Sequence, residues 1–287
     1  MEKEERGKSM IPFDFEYYKP DTVKEAANLY DSLSKKNKKV IYYGGGTEFI
    51  SMARRYNRYA DAVIDIKGIP ECNEFDFNGN ELNIGSAMTL TKIANMNKFP
   101  LLSLAVKRIA DHTIQDKITL GGNIVGTIIY KESLLPLLVS NSDIVLENKS
   151  GRRIVPINSV FDKRLLLEEG EMVVKVMTKK KYVDYPYQHV KRTKNDRIDY
   201  PLLSVVALKD NGKINTAISG LCDYPFRSKK IENILNDKEL VKDKKIDKIM
   251  QNIPGEILHD VGGTSEYRKF MLGAIISEII DSFEEDE

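Results

Sequence analysis

Two glycine-rich turns constrain how this chain can fold more than any other feature of its sequence. The first is Gly44-Gly45-Gly46-Thr47, and the second, about 75 residues later, is Thr119-Leu120-Gly121-Gly122-Asn123. Each follows an apolar stretch and ends in a small hydroxyl or amide side chain. Glycine reaches positive φ at little cost and lets backbone N–H groups approach an anion closely. The pair therefore predicts two halves of one phosphate cradle, for a long ligand with a diphosphate in its middle.

The composition gives no sign of a nucleic-acid or membrane partner. The 287 residues are enough for one large or two ordinary domains. There are 44 basic and 43 acidic residues, a net charge of +1, which is not typical of proteins that bind nucleic acids or membrane surfaces. No apolar stretch approaches the roughly 20 residues of a spanning helix, and the first residues lack the apolar core of a secretion signal. We therefore expect a cytoplasmic protein.

Cysteine and histidine usage predicts no metal centre within the chain. Cys72 and Cys222 are the only cysteines, too few to hold an iron–sulfur cluster or a disulfide framework. His112, His189 and His259 lack the spacing of metal ligands. We expect buried, reduced cysteines and ordinary polar roles for the histidines.

The hydrophobic pattern predicts an α+β or α/β layered architecture. Before the lysine triplet at 179–181, the predicted strands cover 40–43, 62–66, 81–85, 144–146, 153–156 and 172–176, and the predicted helices begin at Thr22 or cover 90–96, 101–110 and 133–138. After the triplet, strands at 203–208 and 214–220 are joined by a turn at 210–212, and helices follow at 229–235 and 266–283, with a lysine-rich stretch between them.

Three segments are expected along the chain. Residues 1–10 are charged and predict a disordered extension. Residues 11–180 carry both glycine turns, and residues 181–287 form a C-terminal domain. The lysine triplet marks the boundary as an exposed linker, because no aromatic or basic continuation supports a nucleic-acid patch. The face of the last helix that is expected to pack on the sheet consists of Phe270, Ala274, Ile275, Ile279 and Phe283.

Neither common phosphate-binding motif fits the first turn. A Walker loop needs Lys followed by Ser or Thr, but Thr47 is followed by Glu48. A dinucleotide fingerprint needs a third glycine where this chain has Phe49, which disfavours NAD bound in a Rossmann pocket. A single glycine turn fits a plain strand-to-helix turn equally well. The repetition of the feature favours a ligand.

Five segments, in order along the chain, carry a family resemblance. They are Gly44-Gly45-Gly46-Thr47-Glu48-Phe49, Ile84-Gly85-Ser86-Ala87-Met88-Thr89, Thr119-Leu120-Gly121-Gly122-Asn123-Ile124, Gly220 to Arg227, and Ser265-Glu266-Tyr267-Arg268. They resemble A-G-G-T-D-L, I-G-A-x-x-T, T-I-G-G-N-I, G-G-V-x-P-x-P-x-R and S-x-E-Y-R, respectively, of the FAD-binding subunits of molybdenum hydroxylases. That family contains xanthine dehydrogenase and carbon monoxide dehydrogenase.

The resemblance implies a fold and a cofactor. It implies an α+β protein with a two-lobed FAD-binding domain of the vanillyl-alcohol oxidase (PCMH) type at 11–180. A small C-terminal α+β domain of the carbon monoxide dehydrogenase flavoprotein type follows at 181–287. The diphosphate is then expected to lie against both turns, at Gly44, Gly45, Gly46, Thr47, Glu48, Thr119, Gly121, Gly122 and Asn123.

Three further positions follow from the resemblance. Glu132 falls where the family has an Asp near the polar chain of the flavin. Leu165 or Leu167 falls near a leucine that packs on the isoalloxazine. The family's lysine corresponds to His189 or, with a shift, to Lys191.

The resemblance is weakest around the second turn. The family usually has I-R-N before it, whereas this chain has Ile114-Gln115-Asp116, so one positive charge near the cofactor is missing. Downstream, the usual small and proline-containing sequence is replaced by residues 125–131. These departures are expected to affect the flavin potential or the access of NAD+ rather than the phosphate cradle.

The implied function is electron transfer within a larger complex. Electrons would pass from the iron–sulfur clusters of a small partner subunit through FAD to NAD+ or another acceptor, while a large molybdopterin subunit selects the substrate, a purine such as xanthine. No catalytic side chain is expected in this chain. Two alternatives remain: a stand-alone FAD-dependent oxidoreductase, and a non-catalytic assembly module that has lost FAD.

Overall fold

The computed structural model describes residues 11–194 and 199–285, so the extension predicted at 1–10 lies outside the described residues. The strands are β1 (Glu16–Tyr18), β2 (Val40–Tyr43), β3 (Ala62–Asp65), β4 (Phe75–Asn78), β5 (Glu81–Gly85), β6 (Asp143–Asn148), β7 (Gly151–Pro156), β8 (Phe161–Asp162), β9 (Arg164–Leu165), β10 (Met172–Lys179), β11 (Tyr187–Thr193), β12 (Pro201–Asp210), β13 (Lys213–Ser219) and β14 (Phe226–Arg227). The helices are α1 (Val23–Ser34), α2 (Thr47–Arg54), α3 (Leu90–Met96), α4 (Pro100–Val106), α5 (His112–Gln115), α6 (Leu120–Val125), α7 (Leu134–Val139), α8 (Ile157–Val160), α9 (Lys229–Leu235), α10 (Lys242–Met250) and α11 (Ser265–Glu285).

The first lobe, residues 11–66, is built on a parallel sheet of three strands in the order β1-β3-β2. The central strand β3 is buried along its whole length. Helix α1 starts with a reciprocal capping box, in which the Thr22 side chain accepts the Glu25 N–H and the Glu25 carboxylate accepts the Thr22 N–H. Because β2 and β3 are parallel, Tyr43 and Asp65 end at the same edge of the sheet, where the first glycine turn begins.

The second lobe, residues 75–179, has an antiparallel sheet of five strands in the order β4-β5-β10-β6-β7. One face packs on a leucine-rich core to which α7, buried at every residue, contributes. On the other side, Val145 and Val174 share a cluster with Val23 and Ala26 of α1. The sheet therefore joins the two lobes.

The C-terminal part, residues 187–285, has an antiparallel sheet in the order β11-β12-β13-β14. Strand β12 reads as a nearly continuous apolar run because both of its faces are covered. Val206 and Leu208 belong to the core of the second lobe. Val205 and Ala207 belong to a separate core with α11. The C-terminal part is thus packed against the second lobe.

Two expectations for the C-terminal helices are wrong. Phe270 is 70% exposed and Ala274 is also exposed, whereas Ile275, Ile279 and Phe283 are buried as expected. The buried face begins at Arg268 and continues through Leu272, Ile275, Ile276, Ile279, Ile280 and Phe283. Arg268, only 1% exposed, donates to the carbonyls of Leu202 and Gly220 and to Asp260. This anchor sets the rotation of the helix.

The lysine-rich stretch contains the unpredicted helix α10. Its apolar residues Ile246, Ile249 and Met250 have helical spacing, and Ile249 is buried, but the surrounding lysines mask the pattern. The helix predicted at 101–110 ends earlier, at Val106.

Most other expected elements are confirmed. Strands β2 and β5 and helices α3 and α9 have the predicted bounds, and the 144–146 and 153–156 strands form a hairpin. The α+β class is confirmed. Cys72 and Cys222 are buried and free. The boundary at 180/181 remains a prediction and lies in a short 3-10 turn, Lys180–Tyr182. In the ranges 11–194 and 199–285, every helix is too short or too polar to cross a membrane.

We expect Arg268→Leu to lower the free energy of unfolding by about 3 kcal/mol, because two buried carbonyls lose their donor. Urea denaturation of the purified chain measures the change. The neighbouring exposed Lys269→Leu serves as the control and should change stability by less than about 0.5 kcal/mol. Equal effects of the two substitutions would contradict an anchoring role for Arg268.

Candidate functional site

The two glycine turns meet in direct backbone contact, here called the seam (Gly44–Gly46 against 117–119). A Cβ atom on Gly45 would lie 1.6 Å from the Lys117 carbonyl oxygen, and one on Gly44 would lie 2.6 Å from Thr119 Oγ1. Any larger residue at position 44 or 45 would push the two lobes apart. Gly46 has a φ of +71°, a left-handed conformation that glycine adopts at little cost. The structure therefore brings together the two turns that the sequence singled out.

The first turn presents unpaired backbone donors. Helix α2 starts at Thr47, and no side chain caps it. The N–H groups of Gly45, Gly46 and Thr47 have no hydrogen-bond partner among the described residues. Free amides at a helix N-terminus, together with the helix dipole, favour an anion such as phosphate.

The second turn uses its amides within the protein. The Leu120 N–H donates to Met88 O at 2.9 Å, and the Gly121 N–H donates to Ser86 O at 2.8 Å. The Gly122 N–H donates to Thr119 Oγ1 at 3.3 Å, which leaves the hydroxyl hydrogen of Thr119 to donate to a ligand. A Cβ on Gly121 would lie 2.7 Å from Ser86 Cβ. The glycines of this turn thus permit close packing, and Thr119 is its free donor.

Glu48 ties the two lobes together. Its Oε2 accepts the N–H groups of Thr127 at 2.8 Å and Ile128 at 3.3 Å. Its Oε1 pairs with Arg58 at 3.1 Å. The carboxylate in the first turn of α2 therefore fixes the segment that follows α6.

A charged network missed by the sequence analysis supports the first turn. Lys67 Nζ donates to the Gly44 carbonyl at 3.1 Å, pairs with Asp65 at 2.8 Å and lies 4.4 Å from the centre of the Tyr43 ring. Tyr17 donates to the same carboxylate of Asp65. The sequence contains an indication of this role, because Lys67 follows a parallel strand that ends at the same edge of the sheet as the first turn.

Glu132 and Lys191 form a buried ion pair. Their side chains are 4% and 5% exposed, and Glu132 Oε2 and Lys191 Nζ are 3.0 Å apart. Lys191 also donates to the Arg108 carbonyl at 2.6 Å. Burial holds the pKa of Glu132 above its ordinary value despite the nearby ammonium. Glu132 Oε1 is buried without a partner among the described residues.

His189 is not a substitute for that lysine in the pair. Its Nε2 lies 3.0 Å from Ser204 Oγ, and its buried Nδ1 has no partner among the described residues. Burial, with Arg108 and Lys191 nearby, lowers the pKa of His189 to about 3. The imidazole is therefore neutral near pH 7, and Lys191 is the cation next to Glu132.

The remaining predicted residues lie in the second lobe. Asn123 Oδ1 accepts from Ser133 Oγ at 2.6 Å, so this side chain fixes the start of α7. Leu165 is buried in the same core as Leu120 of α6, and Leu167 packs on its margin. The free amides of the first turn and the hydroxyl of Thr119 meet at the seam and fit a diphosphate. The unpaired oxygen of Glu132, by contrast, is buried within its ion pair with Lys191.

Glu48→Ala should speed amide hydrogen exchange at Thr127 and Ile128 by about tenfold or more, because a charge-assisted acceptor worth about 1.5–3 kcal/mol is lost. Exchange measured by NMR tests this in the full chain. The control is Glu25→Ala, since Glu25 is also in the first turn of a helix but bonds only within that region. Unchanged exchange at both amides would refute the bridging role of Glu48.

Lys191→Met should destabilise the fold by about 3–5 kcal/mol, because it leaves a buried carboxylate unpaired. The double substitution Glu132→Leu with Lys191→Met should recover most of that loss. The adjacent Arg192 pairs with Glu278 on the surface, so Arg192→Met should cost less than about 1 kcal/mol. Urea midpoints of the four proteins decide, and a double variant as unstable as Lys191→Met would speak against the ion pair.

Comparison with known proteins gives the family. Residues 13–178 match the family described as FAD binding domain in molybdopterin dehydrogenase. The carbon monoxide dehydrogenase medium chain of Hydrogenophaga pseudoflava is 30% identical over 58% of this chain and 59% of that protein, so the chain matches about three fifths of this relative's length. The caffeine dehydrogenase subunit beta of Pseudomonas sp. (strain CBB1) is 24% identical over 94% of this chain and 95% of that protein.

A solved structure agrees with the family match. It is that of carbon monoxide dehydrogenase from Hydrogenophaga pseudoflava lacking the Mo-pyranopterin moiety. One of its chains superimposes with a TM-score of 0.82 and 25% identity, over 93% of this chain and 96% of that one. The family match, the fold and the free amides at the seam agree, and the chain belongs to the FAD-binding family of the molybdopterin dehydrogenases.

Proposed function

We propose that this chain is the electron-transferring FAD subunit of a molybdenum hydroxylase complex. Electrons reach it from the iron–sulfur clusters of a partner subunit and leave to NAD+ or another acceptor. The observation that carries the proposal is the set of unpaired amides at Gly45, Gly46 and Thr47, placed beside Thr119 in a chain of an FAD-binding family.

The residues of the chain bind and orient the cofactor. The amides of the first turn, with the Thr119 hydroxyl, hold the diphosphate, and Gly121 and Gly122 allow the second lobe to approach it. Glu132 accepts from the polar chain of the flavin through Oε1, and Leu165 borders the ring. Bound FAD supplies the redox chemistry, accepting electrons singly and releasing them in pairs. No side chain of this protein has to act as a nucleophile, acid or base.

The proposal that this chain works within a complex rests on its small number of cysteines and on the names of its relatives. Two cysteines are too few for an iron–sulfur cluster in this polypeptide. Similar proteins are named as a medium chain and as a subunit beta, which supports partners that hold the other centres. We propose a small iron–sulfur subunit and a large molybdopterin subunit as these partners.

The finer proposals concern substrate and acceptor. A purine such as xanthine is proposed as the substrate of the whole complex, supported by a relative named for caffeine, which is a methylated purine. NAD+ is proposed as the acceptor. The molybdenum subunit would select the substrate, so this chain sets only the path of the electrons.

The purified full chain should bind FAD and show a flavin absorption spectrum. Gly45→Ala should weaken FAD binding on the order of 100-fold, because its Cβ overlaps a backbone carbonyl and forces the seam open. Gly68→Ala is the matched control, since its Cβ would meet only the flexible end of Lys19 at 3.0 Å. Absence of a flavin spectrum after reconstitution with FAD would exclude the proposed function.

The electron-transfer step is tested in the assembled complex. With its partners co-expressed, addition of xanthine should bleach the flavin absorbance, and NAD+ should restore it. Bleaching by another substrate would correct the purine proposal alone. Turnover of an organic substrate by the isolated chain would favour a stand-alone oxidoreductase instead.

A further inference from the structure

Lys131 is a buried lysine that forms no ion pair within the described residues. The residue is 4% exposed, and its Nζ donates to the Gly126 carbonyl. Within the described part of the chain, no Asp or Glu forms an ion pair with it. A buried ammonium whose hydrogen-bond partner is a neutral carbonyl is costly, because the charge has left water without a carboxylate in direct contact.

The ammonium lies at the C-terminal end of α6. Gly126 ends α6, the helix that begins at the second glycine turn. A Cβ on Gly126 would lie 2.8 Å from Glu48 Oε2, so this carbonyl region adjoins the first turn of α2 as well. Lys131 is therefore held between the two elements that start at the two turns.

The charged groups around Lys131 are already committed. Glu48 faces it from α2, but that carboxylate accepts two amides and pairs with Arg58. On the chain next to it, Glu132 is paired with Lys191. Neither acid makes an ion pair with Lys131 in the described residues, so the ammonium has donors left for an anion supplied by a ligand.

The backbone at Lys131 is held in an unusual conformation. Its φ of +38° lies in the left-handed region, which residues with a side chain rarely adopt. Such strain persists where the surrounding structure enforces it, often at ligand sites. Here it accompanies an inward-directed, buried side chain rather than an exposed turn.

We propose that Lys131 is a direct ligand of the FAD diphosphate, with its ammonium donating to phosphate oxygens. The proposal rests on the FAD binding proposed above. It follows from a difference between the two glycine turns. The first has amides without a partner, whereas the amides of the second already donate to Met88, Ser86 and Thr119. A cation from the segment after α6 gives the second lobe its own charged contact with the ligand.

The charge on Lys131 makes binding depend on pH. Burial lowers the pKa of Lys131 to about 8, with Glu48 opposing the shift. A bound diphosphate favours the ammonium and raises this pKa in the complex. The affinity for FAD should therefore be complete below about pH 8 and fall above it, by up to about tenfold per pH unit, until the pKa of the complex is reached.

The test is titration of FAD into the full apoprotein, followed by flavin fluorescence and calorimetry between pH 7 and 9.5. Lys131→Met should bind FAD about 10- to 100-fold more weakly at pH 7 and lose the pH dependence. It should also leave the apoprotein at least as heat-stable as wild type, since a buried charge is removed. Lys92→Met, an exposed lysine of the same lobe, makes the same change in net charge and should bind as wild type.

A second variant separates charge from folding. Lys131→Arg keeps a cation that does not titrate in this range. It should therefore keep its affinity for FAD within a few-fold, lose the pH dependence of binding, and take up no proton when FAD binds at pH 8. The proposal is overturned if Lys131→Met binds FAD as wild type does, or if the pH dependence persists in Lys131→Arg. If wild-type protein binds no FAD at any pH, the proposed function fails, and this inference fails with it.

Discussion

The close approach of Gly45 to the carbonyl of Lys117 is the contact on which the rest of the site depends. A Cβ at that position would come within 1.6 Å of the oxygen, so the two lobes can meet only across a bare backbone. The contact brings Thr119, the cap of α6, against Gly44. As a result, the N-terminus of α2, with its unpaired amides, lies beside the second lobe.

Around the seam, the hydrogen-bond acceptors are paired within the protein, whereas several backbone donors have no partner among the described residues. The Gly44 carbonyl is occupied by Lys67, and the Glu48 carboxylate by Thr127, Ile128 and Arg58. The amides of Gly45 to Thr47 are left over. A site with surplus donors selects an anion without needing a large net charge. This agrees with a chain whose overall charge is close to zero.

Local patterns predicted the parts of the fold that local chemistry decides. The Thr22 cap, the glycine turns and the strand ends at Tyr43 and Gly85 are all visible in a few adjacent residues. The rotation of α11 was not, because it is set by Arg268 and by carbonyls at 202 and 220. The unequal use of the two turns was hidden for the same reason, since Ser86 and Met88 precede the second turn by more than thirty residues. The cofactor roles of the individual residues remain predictions.

Strand β12 is shared by two hydrophobic cores, and this limits how such a chain can evolve. Its alternate residues belong to the core of the second lobe and to the core of the C-terminal part. A C-terminal part taken from a relative would place a different β12 surface against α7, even if the helices of that part packed well on their own sheet. Exchange of this part between family members therefore requires matched changes in α7 and β12, so the two segments should be inherited as a pair.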